Sequence, residues 1–240
     1  MEGARHISLI QNLLTSEQPD TICLQEAPEF FTQWLEEHGY KTVFTPMTIY
    51  DRDDMNYVEG LILASRTIQT SNMYYYHKSA DDICVQVSRN DATVANAVIH
   101  ADVVVDDQTY TVATTHLPVT PDGETNDHQT VCATKMFDHL DSLQPHLLCG
   151  DHNMPRGHNQ LYSLFTNRYN DTIPPEYTSS LDQDLHRLGP IADQLNAPIF
   201  EEYMVDYIFS QSPYQISDVR LQFGVSDHAA IVATITRATE

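Results

Sequence analysis

Short apolar runs alternate along this chain with segments in which apolar residues recur at helical spacing. Short continuous runs, several of them rich in valine, isoleucine and threonine, predict buried strands. These runs cover 20–24, 61–64, 83–88, 93–105, 109–115, 146–150, 204–209, 215–223 and 229–235. Helical spacing predicts helices over 5–18, just after Pro28, over 126–143 and near 158–168. This mixture predicts two mixed sheets packed face to face with helices outside.

Polar side chains that can carry chemistry stand at the ends of these apolar runs. They are Gln25-Glu26, Thr115-His116, Asp151-His152-Asn153, Asp206 and Ser226-Asp227-His228. Any one of them alone is typical of a solvated loop or a strand cap. Their co-occurrence is more informative, because buried strands that deliver such groups to the same rim would build one cluster of acids and imidazoles.

The composition is globular, with a strong acidic excess. The 240 residues include 12 Lys+Arg and 34 Asp+Glu, which gives a formal net charge of −22. A chain of this charge repels phosphate backbones, so a broad basic face for sequence-independent nucleic-acid binding is not expected. The length and the lack of a linker-like break predict a single domain over residues 1–240.

The absence of targeting signals and the spacing of the cysteines predict a cytoplasmic protein. No run of roughly 18 apolar residues occurs, so no membrane span is expected. The N-terminal residues also lack the basic, apolar and small-residue regions that follow one another in a signal peptide. The four cysteines have no CxxC spacing and stand mostly in apolar runs, which predicts buried free thiols in a reducing compartment. No feature of the sequence points to a protein partner.

The polar cluster has the composition of a magnesium or manganese site. Glu26, Asp151, Asn153 and Asp227 offer hard oxygen donors, which Mg²⁺ and Mn²⁺ prefer. No HExxH motif and no finger-type Cys/His spacing occurs, so these histidines do not predict a zinc cage. Imidazoles at the same rim suit hydrogen bonding to a phosphate oxygen or proton transfer.

Six short motifs occur in an order that resembles the endonuclease/exonuclease/phosphatase superfamily. They are LQE at 24–26, EGLIL at 59–63, THL at 115–117, GDHN at 150–153, VDYIF at 205–209 and SDH at 226–228. The resemblance extends over about residues 5–236. It implies an α/β (α+β) fold, a four-layered sandwich of two mixed β-sheets flanked by helices. It also implies metal-dependent hydrolysis of phosphoester bonds by in-line attack of water.

The resemblance implies metal and water roles for the oxygen donors. Glu26 matches the metal-binding glutamate of the family, and Asp227 matches the second aspartate on the metal side. Asp151 and Asn153 match the pair that positions the attacking water and contacts phosphate or metal.

The remaining matches imply proton-transfer and phosphate-binding roles. His116 matches the histidine that contacts the scissile phosphate, and Glu59 matches the acid that orients it. Asp206 and His228 match a dyad in which the carboxylate sets the imidazole tautomer. Arg89 and Arg187 are candidates for substrate contacts, the latter from the long polar stretch 170–200.

Two departures from the family pattern stand out. His152 occupies the position where the family motif GDFN has an aromatic residue, which is either a tolerated surface substitution or an extra donor at the rim. Family members also begin with a strand that ends in asparagine, whereas this chain starts at Met1-Glu2-Gly3. The expected fold therefore lacks its first strand, and we expect Met1 to be an internal methionine or the sequence to be truncated.

Three interpretations of the function stay open at this stage. The acidic charge favours a small phosphodiester or phosphomonoester as substrate. A DNA or RNA endonuclease of the same superfamily is the alternative, and a basic rim formed by Arg89, Arg156 and Arg187 would support it. A non-catalytic binding protein that retains the fold is the third.

Overall fold

The computed structural model describes residues 3–52, 55–85, 94–120, 123–195 and 198–238. The helices are α1 (Gly3–Glu17), α2 (Phe31–Glu37), α3 (Asp127–Leu140), α4 (Leu161–Thr166) and α5 (Ile199–Glu202). The strands are β1 (Thr21–Pro28), β2 (Lys41–Arg52), β3 (Met55–Ser65), β4 (Ile68–His77), β5 (Asn96–Val105), β6 (Gln108–His116), β7 (Leu147–Asp151), β8 (Asn170–Asp171), β9 (Asp206–Ser210), β10 (Tyr214–Gln222) and β11 (Ala230–Arg237). Short 3₁₀ turns cover Ala80–Asp82 and Gly189–Gln194.

One mixed sheet forms the centre of the molecule. Its strand order is β4-β5-β6-β7-β9-β8. Strands β6 and β7 are parallel, and the other neighbours are antiparallel. The β5–β6 hairpin turns at Asp106 and Asp107, which have φ of 49° and 63°, the left-handed backbone that a tight two-residue hairpin requires. The predicted runs 93–105 and 109–115 are therefore the two strands of one hairpin.

Four layers pack on one another, as predicted. Helices α3 and α4 cover one face of the six-stranded sheet through Met136, Leu140 and Phe165. The other face packs on a layer made of β1–β3 and the β10–β11 hairpin, with Leu61, Ile99 and other aliphatic side chains between them. Helices α1 and α2 cover the outside of that layer through Leu14, Leu35 and their neighbours. The predicted α/β sandwich is confirmed.

The second layer differs from a continuous mixed sheet. It consists of a three-stranded sheet, in the order β1-β3-β2, and the separate β10–β11 hairpin; all pairs within it are antiparallel. The facing edges of β1 and β11 have no strand between them in the described part of the chain. Residues 21–26 and 229–235 line the two sides of this gap.

Several predicted elements need correction. The run 83–88 is not a strand where it is described, because Val85 forms only an isolated bridge to Ile49 and residues 86–88 lie outside the described residues. Cys84 is exposed and Cys23 and Cys149 are half-buried, contrary to the expectation of four buried thiols, although none of these cysteines forms a disulfide bond. Strands β2 and β4 were not predicted as whole elements. No helix in the described ranges is both long and apolar enough to cross a membrane.

Candidate active site

Three neighbouring strands place polar side chains at one edge of the six-stranded sheet. His116 at the end of β6 is in register with Asp151 at the end of β7, and Asp151 is in turn paired with Asp206, the first residue of β9. Gly150 makes the approach possible, because it has φ of 143° and a Cβ there would lie 2.0 Å from the Thr115 carbonyl oxygen. The register of β6, β7 and β9 therefore brings three predicted site residues side by side.

A single cavity of about 1050 Å³ opens over this edge and continues into the gap between β1 and β11. All described residues that the sequence predicted for the site line this cavity. They are Glu26, Glu59, His116, Asp151, Asn153, Asp206, Arg187, Asp227 and His228. Arg89 lies outside the described residues.

Asp206 and His228 form a hydrogen-bonded dyad. His228 Nδ1 lies 2.8 Å from Asp206 Oδ2, and the hydroxyl of Ser180 donates to the same oxygen at 2.6 Å. Burial lowers the pKa of His228, but Asp206, Asp151 and Asp227 outweigh it and raise that pKa to about 10. The imidazole is therefore protonated at neutral pH, with Nδ1 donating to Asp206.

Asp151 lies at the centre of the cluster with an unusually basic carboxyl group. Burial, followed by the charge of Asp206, raises its pKa to about 6, although His116, His228 and the backbone N–H of Asn153 act in the opposite direction. That N–H donates to Asp151 Oδ1 at 2.8 Å, and Asp151 Oδ2 lies 3.5 Å from His116 Nε2. A carboxyl group with this pKa can accept a proton near neutral pH.

The loop before β11 presents Asp227 to the cavity. Burial raises the pKa of Asp227, but His228, His186 and His6 contribute to a larger opposing effect, and the pKa falls below its usual range. Asp182 holds this loop in place, because its backbone N–H donates to the Asp227 carbonyl at 2.9 Å and its carboxylate accepts from Gly224 N–H at 2.6 Å. Asp227 therefore carries an ionised carboxylate on a loop whose backbone is held in place.

Glu26, Glu59 and Asn153 complete the acidic and amide lining. Glu26 lies at the bulge of β1 with φ of 50°, and Glu59 is buried on the adjacent strand β3, opposite Pro28. Asn153 has φ of 48°, and its side chain donates to the Leu117 carbonyl at 2.9 Å. Left-handed backbone at residues other than glycine is costly and is concentrated at functional sites.

Sequence patterns missed two polar residues that shape the site. Ser180 is fully buried and bonds the Asp206 carboxylate. Asn96 is buried on the cavity wall and donates to the His116 carbonyl at 3.1 Å, while its Oδ1 has no hydrogen-bond partner among the described residues. An Asn at the start of the predicted strand 93–105 was the only signal for either. His186, the neighbour of the candidate Arg187 in the long polar stretch, is buried beside Phe200 and lines the cavity.

Two expectations about the rim are wrong. His152 is neither a surface residue nor a donor at the rim. It is fully buried among the rings of Phe165, Tyr207 and Phe209 on the opposite face of the sheet, because successive strand residues point to opposite faces. Arg156 does not line the cavity; it pairs with Asp171 at 2.8 Å. Arg187 is exposed at the cavity mouth.

The donor set of the cavity suits a hard divalent cation. Carboxylates of Glu26, Asp151 and Asp227 and the amide of Asn153 share one cavity, which places four hard oxygen donors together. Donor atoms of Asp151, Asp206 and His228 also lie within 4.8 Å of one another. We assign that last group to hydrogen bonding rather than metal binding, because a protonated His228 has no lone pair to offer.

Comparison with known proteins identifies the fold. No family model matches the sequence, and no curated protein is significantly similar to it. A protein of the endonuclease/exonuclease/phosphatase family from Leptotrichia buccalis superposes with a TM-score of 0.68 at 17% identity, over 98% of this chain and 94% of that one. The protein has the endonuclease/exonuclease/phosphatase fold.

Two further proteins with this fold show how widely its substrates vary. D. rerio TDP2, solved in complex with a single-strand DNA product, has a TM-score of 0.66 at 14% identity, over 98% of this chain and 93% of that one. The mannosyl-6-phosphatase of Bacteroides thetaiotaomicron has a TM-score of 0.65 at 15% identity, over 97% and 91% of the two chains. The fold therefore accommodates both nucleic-acid and sugar-phosphate chemistry, and does not by itself select a substrate.

Proposed function

We propose that the protein is a divalent-metal-dependent hydrolase of phosphoester bonds. The observation that carries the proposal is the alignment of His116, Asp151 and Asp206 across three neighbouring strands, with His228 bonded to Asp206 at 2.8 Å. An acid–base pair and a charged imidazole on one cavity wall are the groups that in-line attack on phosphorus needs. The phosphoesterases that share the fold are consistent with this chemistry.

Glu26, Asp151, Asn153 and Asp227 are the residues that would hold the metal ion, with Mg²⁺ or Mn²⁺ the proposed occupant. Both ions prefer carboxylate and amide oxygens. Bound there, such an ion would supply Lewis-acid polarisation of a phosphoryl oxygen. It would also offset the negative charge that Asp151 and Asp206 share.

Different side chains of the site accept a proton, contact the phosphate and donate a proton. Asp151 accepts a proton from the attacking water at its carboxylate. His116, 3.5 Å from that carboxylate, contacts the phosphate, with Glu59 in the same cavity proposed to orient it. His228 carries a proton on Nε2, since Nδ1 is bonded to Asp206, and donates it toward a phosphoryl or leaving-group oxygen.

The charge around the cavity favours a small phosphoester over a long nucleic acid. The lining carries several carboxylates, whereas Arg156 is occupied by Asp171 and does not contribute to the rim. Arg187 stands exposed at the cavity mouth, where it suits contact with a single phosphate group. A long polyanion needs many basic contacts along its backbone, and the described surface here offers few of them.

The decisive experiment is a comparison of phosphoester hydrolysis by the native chain and by His228→Ala. Bis-p-nitrophenyl phosphate, p-nitrophenyl phosphate, plasmid DNA and RNA are each assayed with Mg²⁺ or Mn²⁺ and with excess chelator. We expect turnover only with metal, lower by about 10³-fold in the variant. His158→Ala is the control, because His158 is an exposed imidazole paired with Glu202 outside the cavity.

Two results would contradict the proposal, and a third would change its substrate class. Equal rates in the native chain and His228→Ala would remove the dyad from the mechanism. No turnover of any substrate with either metal would favour a non-catalytic binding protein, and preferential cleavage of DNA or RNA would favour the nuclease alternative.

A further inference from the structure

A second cluster of possible metal ligands lies between α3 and the end of β4. His77 is the last residue of β4, and His128 and Cys132 lie one helical turn apart on α3. Nitrogen and sulfur atoms of the three side chains all lie within 4.8 Å of one another. None of the three lines the candidate active site.

The separations are close to those of a tetrahedral metal site. Cys132 Sγ is 3.7 Å from His128 Nε2, and the rings of His77 and His128 are 4.5 Å apart between centroids. Zinc binds imidazole nitrogen and thiolate sulfur at lengths that put tetrahedral ligands about 3.5 Å apart. The 3.7 Å separation of Cys132 Sγ and His128 Nε2 is therefore close to that of two ligands of one ion.

The donors of this cluster select a soft ion. Two imidazoles and a thiol suit Zn²⁺ and related transition metals, whereas Mg²⁺ and Mn²⁺ prefer oxygen. Cys132 is buried, so its sulfur lies at the base of the site. Both histidines are partly exposed, so an ion and a fourth ligand can reach the site from solvent. We propose that His77, His128 and Cys132 bind one Zn²⁺ ion, at a site separate from the phosphoesterase cavity.

The surroundings suggest what an ion there would do. Gln129, next to His128, donates from its side chain to the carbonyls of Pro118 and Asn153 at 3.0 and 2.9 Å. Tyr76, next to His77, donates to the His116 carbonyl at 3.0 Å. A metal ion joining β4 to α3 would therefore stabilise the backbone at His116, Pro118 and Asn153, next to the candidate active site, without contacting a substrate.

Cobalt substitution tests the proposal with a readout that is independent of phosphoester turnover. The full chain is freed of metal, reduced and titrated with Co²⁺ in the presence of excess Mg²⁺. We expect one equivalent of Co²⁺ to bind with a thiolate-to-cobalt charge-transfer band in the near ultraviolet and intense tetrahedral d–d bands. Zn²⁺ should abolish both signals by displacement.

Matched variants assign the ligands. Cys132→Ser should remove the charge-transfer band, and His77→Asn, a change at a partly exposed position, should weaken Co²⁺ binding by at least about 10-fold. Cys84→Ser removes an exposed thiol elsewhere and should leave both unchanged. Absence of the band in the native chain, or its persistence in folded Cys132→Ser, would overturn the proposal. If Cys132→Ser does not fold, unaltered affinity in His77→Asn would do so.

Discussion

His228 and His152 lie on opposite sides of the six-stranded sheet, and the negative charge of Asp206 acts on both. In the cavity, Asp206 accepts a hydrogen bond from His228, and the acidic neighbours raise the pKa of this imidazole to about 10. On the aromatic side, burial lowers the pKa of His152 to about 4, and among the described residues the Gly150 carbonyl, at 2.8 Å, is the only hydrogen-bond partner of this imidazole.

The difference lies in the partner that each ring nitrogen meets. A carboxylate at hydrogen-bond distance stabilises the imidazolium more than burial destabilises it, whereas a lone carbonyl among aromatic rings does not. Asp151, the last residue of β7, and His152, which directly follows it, therefore lie in opposite environments. The cavity side holds charged groups close together, and the aromatic side excludes charge.

The largest effect on the rate of hydrolysis is expected from replacement of Asp151, the proposed proton acceptor of the cavity. Asp151→Asn should lower the metal-dependent rate of hydrolysis by about 10³-fold, because the amide cannot accept a proton from water. The same change should raise the melting temperature of the metal-free protein at pH 7. The folded pKa of Asp151 lies above its ordinary value, so ionisation of this carboxyl costs stability as the pH rises from about 4 through about 6.

Calorimetry of the native chain and Asp151→Asn in chelator at pH 4 and pH 7 measures this cost. The gain in melting temperature should be present at pH 7 and small at pH 4. A variant less stable than the native chain at pH 7 would show that Asp151 is a structural residue rather than one held at a cost for function.

The second largest effect on the rate is expected from removal of the Asp206 carboxylate, which bonds His228 and not His152. Asp206→Asn should lower the rate by about 10²-fold to 10³-fold, because His228 loses the partner that keeps it protonated and oriented. In NMR titration the pKa of His228 should fall from about 10 toward or below 6.5, as burial then dominates. Asp141→Asn, which changes an exposed carboxylate near Arg168, is the control. An unchanged His228 titration would refute the dyad.

A smaller effect is expected from replacement of the neutral imidazole on the aromatic side. The folded pKa of His152 lies below its ordinary value of 6.5, so the native chain should lose stability as the pH falls from about 6.5 to about 4, by up to about 3 kcal/mol. His152→Phe should remove this loss, since a phenyl ring fills the same site without a titrating nitrogen. Urea unfolding at pH 4.5 and pH 7.5 measures it. If the free energy of unfolding of the two proteins depended on pH in the same way, a lowered pKa for His152 would be contradicted.

The smallest effect concerns the hydroxyl that supports the dyad. Ser180→Ala should reduce stability by about 2 kcal/mol, because Asp206 loses a charge-assisted hydrogen bond of 2.6 Å. The rate should fall by about tenfold, since His228 keeps its carboxylate partner in a less rigid position. Ser163→Ala, in α4 and away from the cavity, is a matched control. A loss as large as that of Asp206→Asn would make Ser180 a full member of the catalytic group.

Local sequence determined the parts of the fold that depend on near neighbours. Helix α3 begins where Asn126 caps it by accepting from the Gln129 N–H, and its apolar face is visible in the sequence. Strands β2 and β4 lacked such signals: β2 carries Pro46 at a bulge, and β4 is an edge strand with a largely exposed polar stretch. Their place is decided by the strands they pair with, which a local pattern does not record.

The residue types at the strand ends, from Glu26 to His228, were also readable from the sequence, and they indicated hard-metal and proton chemistry. Only the tertiary structure decided which of them meet. The parallel register of β6 with β7 and the pairing of β7 with β9 put His116, Asp151 and Asp206 in one row. Convergence of His77 with His128 and Cys132, and the burial of His152, were likewise settled by packing between distant segments. Such contacts are stabilised by burial of apolar surface throughout the molecule, which no short stretch of sequence encodes.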